Sequence, residues 1–222
     1  MFGTNPIKKP RLLSDNTLDV QEIFPTIQGE GLFVGWQSVF LRLGGCNLQC
    51  IFCDTEFDSY VNMPIADILQ KIQNLATNAE GLITKKLVVI TGGEPFLQPI
   101  ESICQALIDL GFLVQIETNG TIYRKLPSRV KIICSPKNNS GKTKNIHPDL
   151  LPSISAFKFV VSANISNYNH IFLDVGAIPV FVQPIDEICQ QKNKANLDLA
   201  IKICNQNGYI LSLQMHKIIG IR

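Results

Sequence analysis

No apolar run in the 222-residue chain approaches the roughly 18 to 20 residues that a membrane-spanning helix requires. The opening MFGTNPIKKPRLL also lacks the apolar core of a signal peptide, so the expected location is the cytoplasm. Charge of one sign is scarce: 20 Lys and Arg stand against 18 Asp and Glu, a formal balance of +2 with no electrostatic footprint for a polyanion. Neither nucleic acid nor a membrane is an expected partner. Seven cysteines, an odd count in a reducing compartment, argue against structural disulfides. The three histidines, His147, His170 and His216, are far apart and unpaired. Internal repeats and low-complexity tracts are absent as well.

What is present is an ordinary globular balance, 45% hydrophobic and 17% charged, with enough length for one well-buried domain spanning residues 1–222. Short runs rich in Val, Ile and Phe read as buried strands: 38–43, 86–91, 112–118, 130–135, 157–162, 179–184 and 210–215. Between them, Ile65, Ile68, Leu69, Ile72 and Leu75 keep helical spacing, as do Ile100, Ile103, Cys104 and Leu107, then Leu199, Ala200 and Ile203. Gly111 and Gly208 fall where helix C-caps belong. Strand and helix in alternation predict an α/β fold, a parallel sheet that is either open and doubly wound or a full or partial barrel. Both place a site at the carboxyl ends of the strands, where GGCN, GGEP, TNGT and SPK follow directly. Residues 136–149 read as a polar loop.

GGCNLQCIFC, residues 44–53, sets Cys46, Cys50 and Cys53 at C-x3-C-x2-C. Three thiolates at this spacing suit three irons of a 4Fe-4S cluster, leaving the fourth iron for another ligand. Structural zinc sites usually pair two knuckles, and no second knuckle exists here. Cys104, Cys134, Cys189 and Cys204 sit singly in apolar segments and read as small core residues.

The three cysteines, with Phe52 before the last of them and a later strand ending in Gly92-Gly93-Glu94-Pro95, resemble the radical S-adenosylmethionine (SAM) superfamily. The resemblance implies a modified or partial (βα) barrel in which SAM chelates the open iron and yields a 5'-deoxyadenosyl radical. EIFPTIQGEG (22–31), VFLRLGGCNLQCIFCDT (39–55), VVITGGEP (88–95), ETNGT (117–121), CSPK (134–137), KFVV (158–161), VQP (182–184) and the terminal LQMHKIIGIR narrow it further. Together they resemble the family of 7-carboxy-7-deazaguanine synthases over nearly the whole chain from about residue 20. That family contracts the ring of 6-carboxy-5,6,7,8-tetrahydropterin on the route to queuosine.

Carried over by position, the resemblance gives Phe52, Cys53, Asp54, Gly92, Gly93, Glu94, Ser135, Pro136, Lys137, Gln183, Pro184, Ile185 and Asp186 to SAM. Ile27, Gln28, Gly29, Glu30, Arg42, Thr91, Glu117, His216 and the terminal Arg222 go to the pterin. A guanidinium suits a planar carboxylate, whereas Glu30 and Glu117 read equally as salt-bridge residues. Thr55 resembles the family threonine whose hydroxyl meets Mg2+. Other implied partners are an electron donor such as flavodoxin and a second copy in a homodimer. The tail follows the last expected strand too closely for another helix and is expected to fold over the rim. Gln37 stands where the family usually has proline, beside bulky Trp36, a departure that bears on the shape of this loop. Rival expectations are a glycyl-radical activating enzyme and a metal-binding module without catalysis.

Overall fold

The structure is a computed structural model that describes residues 5–10, 16–138, 146–171 and 176–221. Among these, nine strands form one sheet: β1 (Thr17–Ile27), β2 (Gln37–Leu43), β3 (Val61–Pro64), β4 (Leu87–Gly92), β5 (Leu113–Thr118), β6 (Lys131–Cys134), β7 (Ile154–Val161), β8 (Val180–Pro184) and β9 (Ile210–Leu211). Their order is β3-β1-β2-β4-β5-β6-β7-β8-β9. From β2 onward every pairing is parallel, while β1 runs antiparallel to both its neighbours. The sheet is thus a mixed one, a long antiparallel edge added to the parallel array that the apolar runs predict.

Helices α1 (Ile65–Ala76), α2 (Glu101–Asp109) and α3 (Gln190–Asn207) pack on one face. Their inward residues Ile68, Ile72, Ile103, Leu107, Ala200 and Ile203 share a core with Leu41, Leu43, Ile90, Ile116, Phe159 and Val182 of the strands. Side chains alternate along a strand. The same pleat that points Leu41 and Leu43 at the helices therefore turns Phe40 and Arg42 to the opposite face, and with them Gln115 and Glu117, Lys158 and Val160, Phe181 and Gln183. No α-helix covers the connections from β5 through β8 among the described residues. That is the partial character of the barrel.

β1, next to one edge of the sheet, and β9, at the other edge, are linked through the segments that follow them. Gly31 N donates to Ser212 Oγ at 3.1 Å and Met215 N to Gly29 O at 3.1 Å, so the segment after β1 closes on the segment after β9.

Three expectations are corrected. The last strand, expected over 210–215, pairs only at Ile210 and Leu211; Ser212 N still donates to Val182 O at 2.9 Å, and beyond it the chain leaves the sheet for α4. The tail does form a helix, the five-residue α4 (Met215–Ile219), ended by Gly220 in the left-handed conformation at φ 69. Cys189 is not core: it lies partly exposed just before α3, its thiol facing Gln191, whereas Cys104, Cys134 and Cys204 are buried. The loop expected over 136–149 falls largely outside the described residues.

Candidate active site

The face opposite the helices holds a cavity of about 440 Å3 at the carboxyl ends of the strands. One wall is the cysteine loop, which supplies Cys46, Cys50, Phe52, Cys53, Asp54 and Thr55. Its shape is held from several sides. Cys53 N donates to Cys50 O at 3.1 Å, and Lys8 N donates to Cys46 O at 2.7 Å from the N-terminal segment. Asn5 Nδ2 donates to Thr55 O at 2.8 Å. Asn119 Nδ2, from the turn after β5, donates to Asn47 Oδ1 at 2.9 Å between the first two cysteines.

Beneath the loop, Gly92 and Gly93 leave β4 with no room for a side chain. A Cβ on Gly93 would come within 2.2 Å of Gly45 O and 2.7 Å of Cys46 Cβ. Bare backbone can therefore approach a ligand there. Glu94 is not on the cavity wall; it is fully buried, and its carboxylate takes Asn119 N at 2.7 Å, Thr118 Oγ1 at 2.7 Å and Phe96 N at 3.0 Å. Burial pushes its pKa up despite those donors, and its part is to hold the β5 turn that in turn holds Asn47. Pro136 is likewise buried behind the wall.

Ser135, Lys137, Gln183, Pro184, Ile185 and Asp186 line the next sector. Gln183 is 5% exposed, and its Oε1 finds no hydrogen-bond donor among the described residues. Lys137 Nζ donates to Ser135 Oγ at 2.5 Å, its pKa lowered by burial.

Across the cavity, Ile27, Gln28, Gly29, Glu30, Arg42, Thr91, Glu117 and His216 come together. Arg42 stands in register with Thr91 on the neighbouring strand; its Nε donates to Glu22 at 2.8 Å and its Nη1 reaches Thr55 Oγ1 at 3.5 Å. Glu30 and Glu117 are both wall residues and both ion-paired: Lys158 Nζ bridges them, 2.6 Å from Glu117 Oε2. His216 roofs this sector from α4, so close to Gly29 that a Cβ there would meet His216 Nδ1 at 2.3 Å. Arg222 lies outside the described residues.

Lys158, Asn119, Gln214 and Lys217 belong to the site without having been singled out. KFVV, ETNGT and the HK tail carried their positions, but a lysine inside an apolar strand has meaning only once its partners across the sheet are known.

The residues fit an iron-sulfur cluster with SAM on three counts: three thiols from one loop, the Gly93 ledge against Cys46, and the orphaned acceptor of Gln183. Burial pushes the Cys46 thiol up to about 12 and raises that of Cys53, so these sulfurs keep their protons until a cationic centre displaces them. No group of three or more His, Cys, Asp or Glu side chains among the described residues is arranged for a single metal ion.

A three-cysteine loop at the carboxyl rim of a β/α sheet defines a radical SAM enzyme, and residues 41–135 match the model of the Radical SAM superfamily. A 7-carboxy-7-deazaguanine synthase of Rickettsia prowazekii is 53% identical over all of this chain and 96% of the relative; one of Rhodospirillum rubrum is 37% identical over the full length of both. The crystal structure of QueE from Escherichia coli superposes with a TM-score of 0.71 at 26% identity, covering 90% of this chain and 95% of that one. The chain belongs to the 7-carboxy-7-deazaguanine synthase family.

Proposed function

We propose that the protein converts 6-carboxy-5,6,7,8-tetrahydropterin to 7-carboxy-7-deazaguanine with release of ammonia, as a carbon–nitrogen lyase of the queuosine route in the cytoplasm. One radical SAM domain, residues 1–222, carries the activity. The observation behind this reading is a single cavity that sets the cysteine loop and glycine ledge opposite Gln28, Glu30, Arg42 and Glu117. Its volume is that of a small-molecule site.

When bound, the 4Fe-4S cluster at Cys46, Cys50 and Cys53 with SAM supplies hydrogen abstraction from C6 of the pterin. The chain does the rest. Arg42, its guanidinium fixed by Glu22, faces the substrate carboxylate. Glu30 and Glu117 accept from the amino and N–H edge of the pyrimidine ring. Gly92 and Gly93 offer backbone to the SAM amino group, and Gln183 Oε1 offers an acceptor to its adenine. His216 and the α4 roof keep water out, which a radical intermediate requires.

Thr55 is the proposed Mg2+ contact, the remaining ligands being water and the substrate carboxylate. The proposed reductant is a flavodoxin-type donor, and the proposed assembly is a homodimer. The test is oxygen-free reconstitution with iron and sulfide, followed by assay with SAM, reductant, Mg2+ and the carboxypterin. Formation of the deazapurine without matching accumulation of 5'-deoxyadenosine supports the reading; SAM cleavage with no deazapurine refutes it.

A further inference from the structure

Lys158 is 5% exposed in β7, between Phe157 and Phe159. A lysine there is costly to bury, and an apolar residue of similar volume often serves stability as well or better. Its surroundings are specific. Lys158 Nζ donates to Glu30 Oε2, beyond β1, and to Glu117 Oε2, at the end of β5. The remaining oxygens are also held: Glu30 Oε1 accepts from Gln214 Nε2 at 3.0 Å, and Glu117 Oε1 accepts from Gln28 Nε2 at 3.2 Å and Gln115 Nε2 at 3.0 Å. Every carboxylate oxygen is thus fixed by a donor of the chain; Glu117 Oε1 takes two, while Glu117 Oε2 and both oxygens of Glu30 each keep a second lone pair. Both residues line the cavity.

We infer that Lys158 is a positioning residue for substrate: it holds the carboxylates of Glu30 and Glu117 side by side as a rigid pair of acceptors for the amino and N–H edge of the heterocycle. This rests on the reading of the cavity proposed above. Two carboxylates bonded to one ammonium are close enough that, without it, each would disfavour the other's charge. In the native site burial works against ionisation of Glu30, but Lys158 and Gln214 overcome it and hold the pKa at about 2. The other titratable groups facing the pair are Arg42 from β2, Lys137 from the segment after β6 and His216 from α4. They remain when Lys158 is replaced and do not touch both carboxylates.

The test is the pH dependence of carboxypterin binding to the reconstituted protein with SAM, by calorimetry. The unaltered protein sets the baseline, His216 included. Lys158→Met is expected to bind about ten- to a hundredfold more weakly at neutral pH. Its affinity should also recover as pH rises, through a single ionisation that the unaltered protein lacks, and Glu30→Gln in the same background should abolish that ionisation. Lys158→Arg, which keeps the charge but not the geometry, is expected to bind about tenfold more weakly with no new ionisation, and it carries the test if the methionine variant does not fold. Unchanged affinity in either variant, or weaker binding in Lys158→Met with the pH profile unaltered, overturns the proposal. If the unaltered protein itself does not bind the carboxypterin, it is the proposed function that fails.

Discussion

Lys217 Nζ, in α4, lies 2.7 Å from Asp54 Oδ2, on the residue that follows the last cysteine of the loop. The same ammonium lies 3.0 Å from Asp186 Oδ2, just beyond β8, so one lysine ties the tail to two sectors of the cavity wall. All three side chains keep about a third or more of their surface, and such pairs are weak and screened by salt. Lys217→Met is therefore expected to weaken carboxypterin binding by only about two- to fivefold. Titrations at about 0.05 and 0.5 M salt check this, and the gap between variant and parent should shrink at the higher value.

Two glycines of the cavity separate backbone crowding from side-chain crowding. At Gly93 a Cβ collides with Gly45 O at 2.2 Å, and neither strand end can yield cheaply. Gly93→Ala is expected to cost about 1–3 kcal/mol in denaturant unfolding of the apoprotein and to abolish SAM binding. At Gly29 the nearest atom is the His216 ring, the far end of a side chain. Gly29→Ala should leave SAM affinity unchanged and lower carboxypterin affinity, because the roof residue rather than the floor is displaced.

The cysteines divide the same way. Cys46→Ser, Cys50→Ser and Cys53→Ser are each expected to lose the brown absorbance and SAM cleavage after reconstitution. Cys104→Ala, in the core between α2 and the sheet, should retain both at a stability cost of about 1 kcal/mol. Burial raises the Cys104 thiol to about 12, so alkylation of the folded protein should spare it and reach Cys189 first.

Apolar runs and periodicity made the parallel strands and α1 to α3 legible, since Val, Ile and Phe dominate each strand even where Arg42, Glu117, Lys158 and Gln183 turn to the cavity, and an amphipathic helix repeats near 3.6. It did not reveal β1. EIFPTI mixes Glu22 and Pro25 into an apolar stretch because β1 is antiparallel, flanked by β3 and β2, and turns Glu22 toward Arg42. The site was readable where chemistry is local, as in the cysteine loop and the GG ledge. Lys158 and Asn119 were not, because their meaning lies in partners 128 and 72 residues away, at Glu30 and Asn47.

Two buried carboxyls should shift acid stability in opposite directions. Glu30 has a folded pKa near 2, below its ordinary 4.5: burial alone raises it, but Lys158 and Gln214 more than offset that. A depressed value stabilises the fold above the ordinary pKa, and the contribution drains away as pH falls from about 5 toward 2. Glu94 is raised by burial, so the folded state takes up its proton more readily than the unfolded chain and gains on acidification. Thermal unfolding at about pH 7 and pH 3.5 separates the two. Glu30→Gln should begin less stable at the higher pH and lose less on acidification than the parent, because it has no ionised carboxylate to forfeit. Glu94→Gln should lose more than the parent, because it lacks the proton uptake that favours the fold. Parallel melting curves for both variants and the parent would mean that neither carboxyl changes its proton affinity on folding, and the ion pair at Lys158 would then have no electrostatic consequence for the fold.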